Sequence, residues 1–417
     1  MSELVIRGGN SLFGEFKVQG SKNAALPIMA AALLIDGAVE LTNVPDITDV
    51  EDMCDILRTL GCKCERNDKT IIIDAKNASP GNVEARLTEK MRSSVFILGP
   101  LLARFGEANI HMPGGCAIGK RPIDLHLSGL RSLGAVIHDY GDRIVAVSVN
   151  LRGCQICLSY PSVGATENIL MAAVLAAGIT AIKGCAKEPE IVELCHFLNR
   201  CGAKITGIGS DTLIVQGVKP TELHPVSYSI AGDRIATGTY MYACAVCGGN
   251  VEINGICPLH LKAVCSHLSK MGCVIYEYEN SIRIKSTGYL LPADVSTGPY
   301  PLYPTDMQPI AMAALTKAGG ISKVTENVFE DRFKTADWLK CFGARLHVDN
   351  KSAIIIGVSC LCGTHATACD LRGGAALIIA GLMAEGESYI SGLSFIDRGY
   401  ERPEGVLREL GADICRR

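Results

Sequence analysis

The stretch 130-LRSLGAVIH-138 reads as the last turn of an amphipathic helix, then a glycine, then the start of an alternating strand. A glycine at that junction is what a helix C-terminus needs, since the left-handed capping conformation excludes most side chains. The same phrase recurs as 57-LRTLGCKCE-65, 198-LNRCGAKIT-206, 268-LSKMGCVIY-276, 339-LKCFGARLH-347 and 407-LRELGADIC-415. Its glycines, Gly61, Gly134, Gly202, Gly272, Gly343 and Gly411, are 73, 68, 70, 71 and 68 residues apart. A near-constant period of this kind marks a repeated supersecondary unit.

A second element interleaves with the first: a polar start, an Ala-rich apolar helix, then usually a glycine and a strand. Its copies begin near Lys22, Arg92, Gly164, Asp233, Asp306 and Asp370, as in 164-GATENILMAAVLAAGIT-180 and 370-DLRGGAALIIAGLMAEG-386. Nearly continuous apolarity predicts helices covered on most sides. Each unit is therefore two helices with intervening strands, which makes the chain α/β. Six such units exceed one core, whereas three plus three fit two domains of about 200 residues. A (β/α)₈ barrel would need eight single-helix units, and a solenoid a shorter period. Two prolines interrupt the pattern in 219-KPTELHPVSYSIAGD-233, which places the boundary there.

The 417 residues are 48% apolar and 20% charged, with a net charge of −3. That composition describes a globular protein and gives no sign of a nucleic-acid or anionic-membrane partner. The N-terminus has no basic-then-apolar leader, and the apolar run 24-AALPIMAAALLI-35 is too short to span a bilayer, so a cytoplasmic location is expected. In that reducing compartment the 19 cysteines are expected to be thiols. Most, such as Cys54, Cys195, Cys244 and Cys265, fall on apolar faces where cysteine acts as a small hydrophobe. The spacings 244-CAVC-247, 154-CQIC-157 and 360-CLC-362 lack a partner motif at zinc-site distance, so no metal is expected.

Basic groups concentrate at the heads of the apolar helices. Lys22, Arg92, Arg234 and Arg372 oppose the helix dipole there, which leaves two readings: they serve an anion, or they face solvent. Asp306 and Asp370 at such heads read first as plain N-caps. The loops 119-GKRPID-124, 327-NVFEDRF-333 and 396-IDRGYERPE-404 add Lys120, Arg121, Arg332, Arg398 and Arg402. Arginine suits a bidentate grip on phosphate or carboxylate, so a multiply anionic small molecule is the expected ligand. No P-loop or nucleophile-elbow motif is present. Cys116, in 113-PGGCAIGKRPIDLH-126, is set apart by its Gly-flanked loop and its cationic neighbours. Such neighbours lower a thiol's pKa and make it a usable acid or nucleophile; a loop thiol without a role is the other reading.

The stretches 20-GSKNAALPI-28, 113-PGGCAIGKRPIDLH-126, 160-YPSVGATENI-169, 304-PTDM-307 and 396-IDRGYE-401 together resemble the UDP-N-acetylglucosamine 1-carboxyvinyltransferase family of enolpyruvyl transferases. The resemblance runs from about residue 5 to residue 414. It implies two similar domains, each of three βαβαββ units in an inside-out α/β barrel, with the active site in the cleft between them. The domains would be residues 22–229, carrying the Cys116 loop, and residues 1–21 with 230–417. The implied activity moves the enolpyruvyl group of phosphoenolpyruvate to the 3′-hydroxyl of UDP-N-acetylglucosamine and releases phosphate. This is the first committed step of peptidoglycan synthesis, and it needs no cofactor and no obligatory protein partner.

Carried over by position, the resemblance makes Cys116 the general acid, able also to form a covalent adduct, and Asp306 the base toward the sugar. Lys22, Arg121 and Arg398 would bind phosphate, with Asn23, Arg332 and Arg372 completing the phosphoenolpyruvate site. Asn23, Arg92, Arg121, Pro122, Ile123, Asp124, Leu125, Ser162, Val163, Gly164, Asp306 and Val328 would contact the nucleotide sugar. Phe329 would wall its pocket, and Asp370 would orient its neighbours. Tyr160 stands where some members have lysine, which puts a charged nucleotide contact there in doubt. A cysteine at position 116 also implies alkylation by the epoxide fosfomycin. The alternatives are a 5-enolpyruvylshikimate-3-phosphate synthase-like transferase, which has no such cysteine loop, and a non-catalytic UDP-sugar-binding paralogue.

Overall fold

The structure, a computed structural model, describes residues 2–114, 118–119 and 122–417, and the backbone alone at Asn82. Six four-stranded sheets are present among these residues, and all six are wired alike. In one of them, Gln155–Cys157 runs parallel to Ile179–Lys183, across the helix Val163–Ala173. The helix Pro189–Arg200 then leads to Lys204–Thr206 and Thr212–Gln216, and the latter inserts antiparallel between its hairpin partner and Ile179–Lys183. This is a βαβαββ unit. Each sheet has the same parallel pair beside an antiparallel pair; the latter is a hairpin in five sheets and in the sixth joins the two ends of the chain.

The repeat glycines sit where the period places them. Gly61, Gly134, Gly202, Gly272, Gly343 and Gly411 follow the helices Thr48–Thr59, Asp124–Ser132, Pro189–Arg200, Lys262–Lys270, Thr335–Cys341 and Pro403–Glu409. All six have φ between 88° and 108°, the left-handed region in which a side chain is strained.

The chain divides into two compact units. Among the described residues, one comprises 20–114 and 122–231; the other comprises the N-terminal segment to Gln19 and Gly232–Arg417, with Ile118 and Gly119 grouped in it. The N-terminal strands complete two sheets of the latter. Leu4–Arg7 lies between Glu387–Ser391 and Asp413–Arg416, and Leu12–Lys17 pairs with Gly249–Asn254. Each unit has its own core. In the C-terminal unit the helices Arg234–Cys247, Gln308–Leu315 and Leu371–Met383 pack on one another and are buried almost end to end. The sheets outside them alternate buried and exposed positions, as in Ser352–Ile356. The helices lie inside and the sheets outside, which explains why these helices are apolar all round.

The expectation for cysteine holds in part. Of 18 described thiols, nine are buried, Cys54, Cys195, Cys244 and Cys265 among them. Cys157, Cys341, Cys362 and Cys369 are exposed and fill no core. Among the described residues no helix is long and apolar enough to cross a membrane. Nor does any group of three or more His, Cys, Asp or Glu stand where it could hold a metal ion.

One buried polar chain crosses the C-terminal core. Tyr303 Oη lies 2.7 Å from Tyr242 Oη, which lies 2.6 Å from His267 Nδ1, while His267 Nε2 is 3.4 Å from the Ala293 carbonyl. In the neutral imidazole Nε2 donates to the carbonyl, Nδ1 accepts from Tyr242, and Tyr242 accepts from Tyr303. Burial pushes the His267 pKa down to about 4, against the opposing bond to Ala293. The unfolded chain therefore takes up this proton near pH 6.5 and the folded one only near 4, so stability is lost as pH falls through that window. The full loss is roughly 3 kcal/mol. A His267→Gln variant should show a smaller drop in urea midpoint between pH 7 and pH 4; parallel drops would exclude His267 as the source.

Candidate active site

In the C-terminal unit one helix-head cation, Arg372, and one loop cation, Arg332, converge on Asp306. This residue lies in the single turn Thr305–Met307 that leads into Gln308–Leu315. Arg332 Nη2 donates to Asp306 Oδ1 at 2.8 Å. Arg372 donates to Oδ2 through Nη2 at 2.8 Å and Nε at 3.1 Å. The two arginine side chains are 2% and 5% exposed, so both charges are taken out of water. Burial pulls Arg372 toward its neutral form, but Asp306, with Tyr400 and Asp233 behind it, reverses this and holds its pKa above the ordinary arginine range. The Arg332 Nε–H is buried and meets no acceptor among the described residues.

Further groups fix the two cations. Arg372 lies over the Tyr400 ring at 5.5 Å, and Tyr400 Oη is 2.8 Å from Thr239 Oγ1. Arg332 lies 5.8 Å from the Phe329 ring centre. Asp370 caps Leu371–Met383, its Oδ1 accepting the Arg372 and Gly373 N–H groups at 3.0 Å each. Arg398 is half-buried, and the turn after it is held by Gln19. Gln19 Nε2 donates to the Gly399 carbonyl at 3.0 Å, and its Oε1 accepts the Glu401 N–H at 2.8 Å. The Asp331 N–H donates to the Ile118 carbonyl at 3.2 Å, tying one flank of the 113–126 stretch to the loop that carries Arg332.

In the other unit, Ser21 caps the helix Lys22–Ala31, and Lys22 Nζ is 2.6 Å from Asp49 Oδ2. Lys22 and Asp49 are 9% and 1% exposed. Ser162 caps Val163–Ala173, and at Gly164 a Cβ would lie 3.1 Å from the His126 ring and 3.4 Å from Phe96. His126 is itself buried against Asn168, with Nδ1 3.0 Å from its Nδ2. Asn23, Arg92, Leu125, Ser162, Val163 and Gly164 are half-buried, whereas Pro122 and Asp124 are exposed. Ile123 belongs to the hydrophobic core, so its side chain packs inward. Gly114 is required by close approach: a Cβ there would stand 1.6 Å from the Glu89 carbonyl oxygen. Cys116, Lys120 and Arg121 lie outside the described residues.

Of the four helix-head cations, Lys22, Arg234 and Arg372 are 9%, 9% and 4% exposed and do not simply face solvent, while Arg92 is half-buried. Sequence reasoning missed Asp49, which looked like an ordinary first-turn acid of Thr48–Thr59. It also missed Gln19, whose partners Gly399 and Glu401 are distant in the chain.

The family model for EPSP synthase (3-phosphoshikimate 1-carboxyvinyltransferase) matches residues 6–407. The chain is 47% identical to UDP-N-acetylglucosamine 1-carboxyvinyltransferase 1 of Symbiobacterium thermophilum, covering 99% of this chain and 94% of that protein. It is 45% identical to UDP-N-acetylglucosamine 1-carboxyvinyltransferase 2 of Carboxydothermus hydrogenoformans, covering 100% and 99%. Among solved structures, the enolpyruvyl transferase NikO from Streptomyces tendae matches with a TM-score of 0.89 at 24% identity, over 100% of this chain and 98% of that one. EPSP synthase from Acinetobacter baumannii matches at 0.77 and 19% identity over the whole of both chains. The fold and these full-length identities agree: the chain belongs to the enolpyruvyl transferase family, in its UDP-N-acetylglucosamine 1-carboxyvinyltransferase branch.

Proposed function

We propose that this chain transfers the enolpyruvyl group of phosphoenolpyruvate to the 3′-hydroxyl of UDP-N-acetylglucosamine and releases inorganic phosphate, the first committed step of peptidoglycan synthesis. The observation that carries the reading is Asp306 held between the buried guanidiniums of Arg332 and Arg372. A substrate bearing both phosphate and carboxylate needs several fixed cations, and arginine holds either group in a forked grip. Lys22, Arg121 and Arg398 serve the phosphate, and Arg332 and Arg372, with Asn23, complete the site. An anion arriving beside Arg332 would draw its N–H groups away from Asp306, leaving a carboxylate oxygen to take the sugar proton.

The reaction is addition followed by elimination. The sugar oxygen bonds to C2 of phosphoenolpyruvate while Cys116 protonates C3; loss of a C3 proton then expels phosphate and restores the double bond. Arg92, residues 121–125 (Ile123 through its backbone), Ser162, Val163, Gly164 and Val328 hold the nucleotide sugar, with Phe329 beside it. Asp370 fixes the start of the Arg372 helix. Identities of 43–47% to UDP-N-acetylglucosamine 1-carboxyvinyltransferases favour this substrate over a shikimate phosphate. Supplied with both substrates, the protein should release phosphate in step with enolpyruvyl ether formation and release none when the nucleotide sugar is omitted. An intact protein that binds the nucleotide sugar yet releases no phosphate would be a binding paralogue, and the reading would fall.

A further inference from the structure

We propose that Glu326, a buried carboxylate to which neither the motifs nor the reaction assigns a part, is the positioning residue that sets Asp306 and the Val328–Phe329 backbone in one geometry. It follows the strand Ile321–Thr325 and is 1% exposed. A buried carboxylate is costly unless donors surround it, and here the donors come from two loops. Thr305 Oγ1, one residue before Asp306, is 3.0 Å from both Glu326 oxygens. The Val328 and Phe329 N–H groups donate to Oε1 at 2.8 and 3.1 Å.

The Glu326 backbone is anchored in turn. Its N–H donates to the Lys351 carbonyl at 2.8 Å. The next residue, Asn327, bonds Thr297 through its N–H and Nδ2 at 2.9 Å each, and Ser296 Oγ at 3.0 Å. The contacts therefore close a ring. Glu326 holds Thr305, Thr305 precedes Asp306, and Asp306 accepts from Arg332. Arg332 faces the Phe329 ring, and the Phe329 N–H returns to Glu326. A carboxylate used only to satisfy its own loop would not need the Thr305 hydroxyl. Glu326 touches no reacting atom; it acts by fixing the angle at which Asp306 is presented, where a misplacement of about 1 Å can cost on the order of 100-fold.

This inference rests on the proposed reaction. Thr305→Val removes one hydroxyl from the ring and should lower kcat about 10- to 100-fold. The Kd for UDP-N-acetylglucosamine, measured by calorimetry, should change less than the rate, since Asp306 keeps its own contact and the Val328 and Phe329 N–H bonds to Glu326 remain. Thr305→Ser, which keeps the hydroxyl, should restore kcat. Glu326→Ala should lower kcat further, and the Thr305→Val/Glu326→Ala double variant should be no slower than Glu326→Ala alone, because both break one bond. Thr305→Val at wild-type kcat, or rate losses that multiply in the double variant, would overturn the assignment. If Glu326→Ala does not fold, the Thr305 pair decides by itself. Wild-type protein that releases no phosphate would overturn the reaction and this assignment together, whereas an active wild type with unaffected variants overturns this one alone.

Discussion

Asp306→Asn is expected to lower kcat by about 10²- to 10⁴-fold, the range that a positioned acid or base contributes, while the protein remains folded. Asparagine keeps the shape of the side chain and one oxygen to accept from a guanidinium, but it has no basic oxygen to take a proton. Asp306→Ala should behave differently. Both variants remove the charge, but alanine also leaves Arg332 and Arg372, 2% and 5% exposed, with no acceptor at all at this position, whereas asparagine still accepts from one of them. Removing one member of a buried charge network costs about 3–5 kcal/mol, because the remaining charge stays out of water. The alanine variant should therefore show a clearly lower urea midpoint as well as a loss of rate. Steady-state kinetics and denaturant melts on the two variants separate the roles. An Asn variant within tenfold of wild-type kcat would remove Asp306 as the base and leave it as the counter-ion of the two arginines.

That one carboxylate grips two arginines, and on the proposed reaction also serves as the base, was only half legible in the sequence. The Asp-then-apolar pattern at 306 identified a helix head, and a cap was the default reading. What the pattern could not contain is the pairing, since Arg332 and Arg372 are 26 and 66 residues away. Local signals were more informative for the fold. The repeat glycines are visible because one backbone conformation excludes other residues, and the central helices because burial on all sides leaves no polar stripe. The wiring of the first sheet strands was less accessible: Leu4–Arg7 finds its partners at Glu387–Ser391 and Asp413–Arg416, a join that no periodicity encodes. Asp49, Gln19 and Glu326 escaped for the same reason. Each is an ordinary polar residue in sequence and gains its part only from a partner supplied by another segment. Cysteine misled in the other direction, because its general preference for burial says nothing about which positions of a strand or loop face outward.

Cys116→Asp is expected to keep measurable turnover and to abolish inactivation by fosfomycin. The two chemistries ask different things of the side chain. Protonating C3 of phosphoenolpyruvate requires an acid at the right place, which a carboxylic acid can supply. Opening the epoxide requires a soft nucleophile that forms a carbon–sulfur bond while the ring oxygen leaves as a hydroxyl; a carboxylate at neutral pH is a far weaker nucleophile. Cys116→Ser should lose turnover, since a hydroxyl is too weak an acid for the first role. Gly114, before Cys116, donates its N–H to the Thr88 carbonyl at 2.9 Å, and the Ile118 carbonyl, after it, accepts from the Asp331 N–H. Treatment of the wild type should add the mass of one fosfomycin to the 113–126 peptide, with loss of activity in proportion. An unmodified peptide after saturating treatment would exclude Cys116 as the nucleophile. A wild type alkylated there, beside an Asp variant that neither turns over nor binds the nucleotide sugar, would mean that position 116 shapes the site and does more than supply a proton.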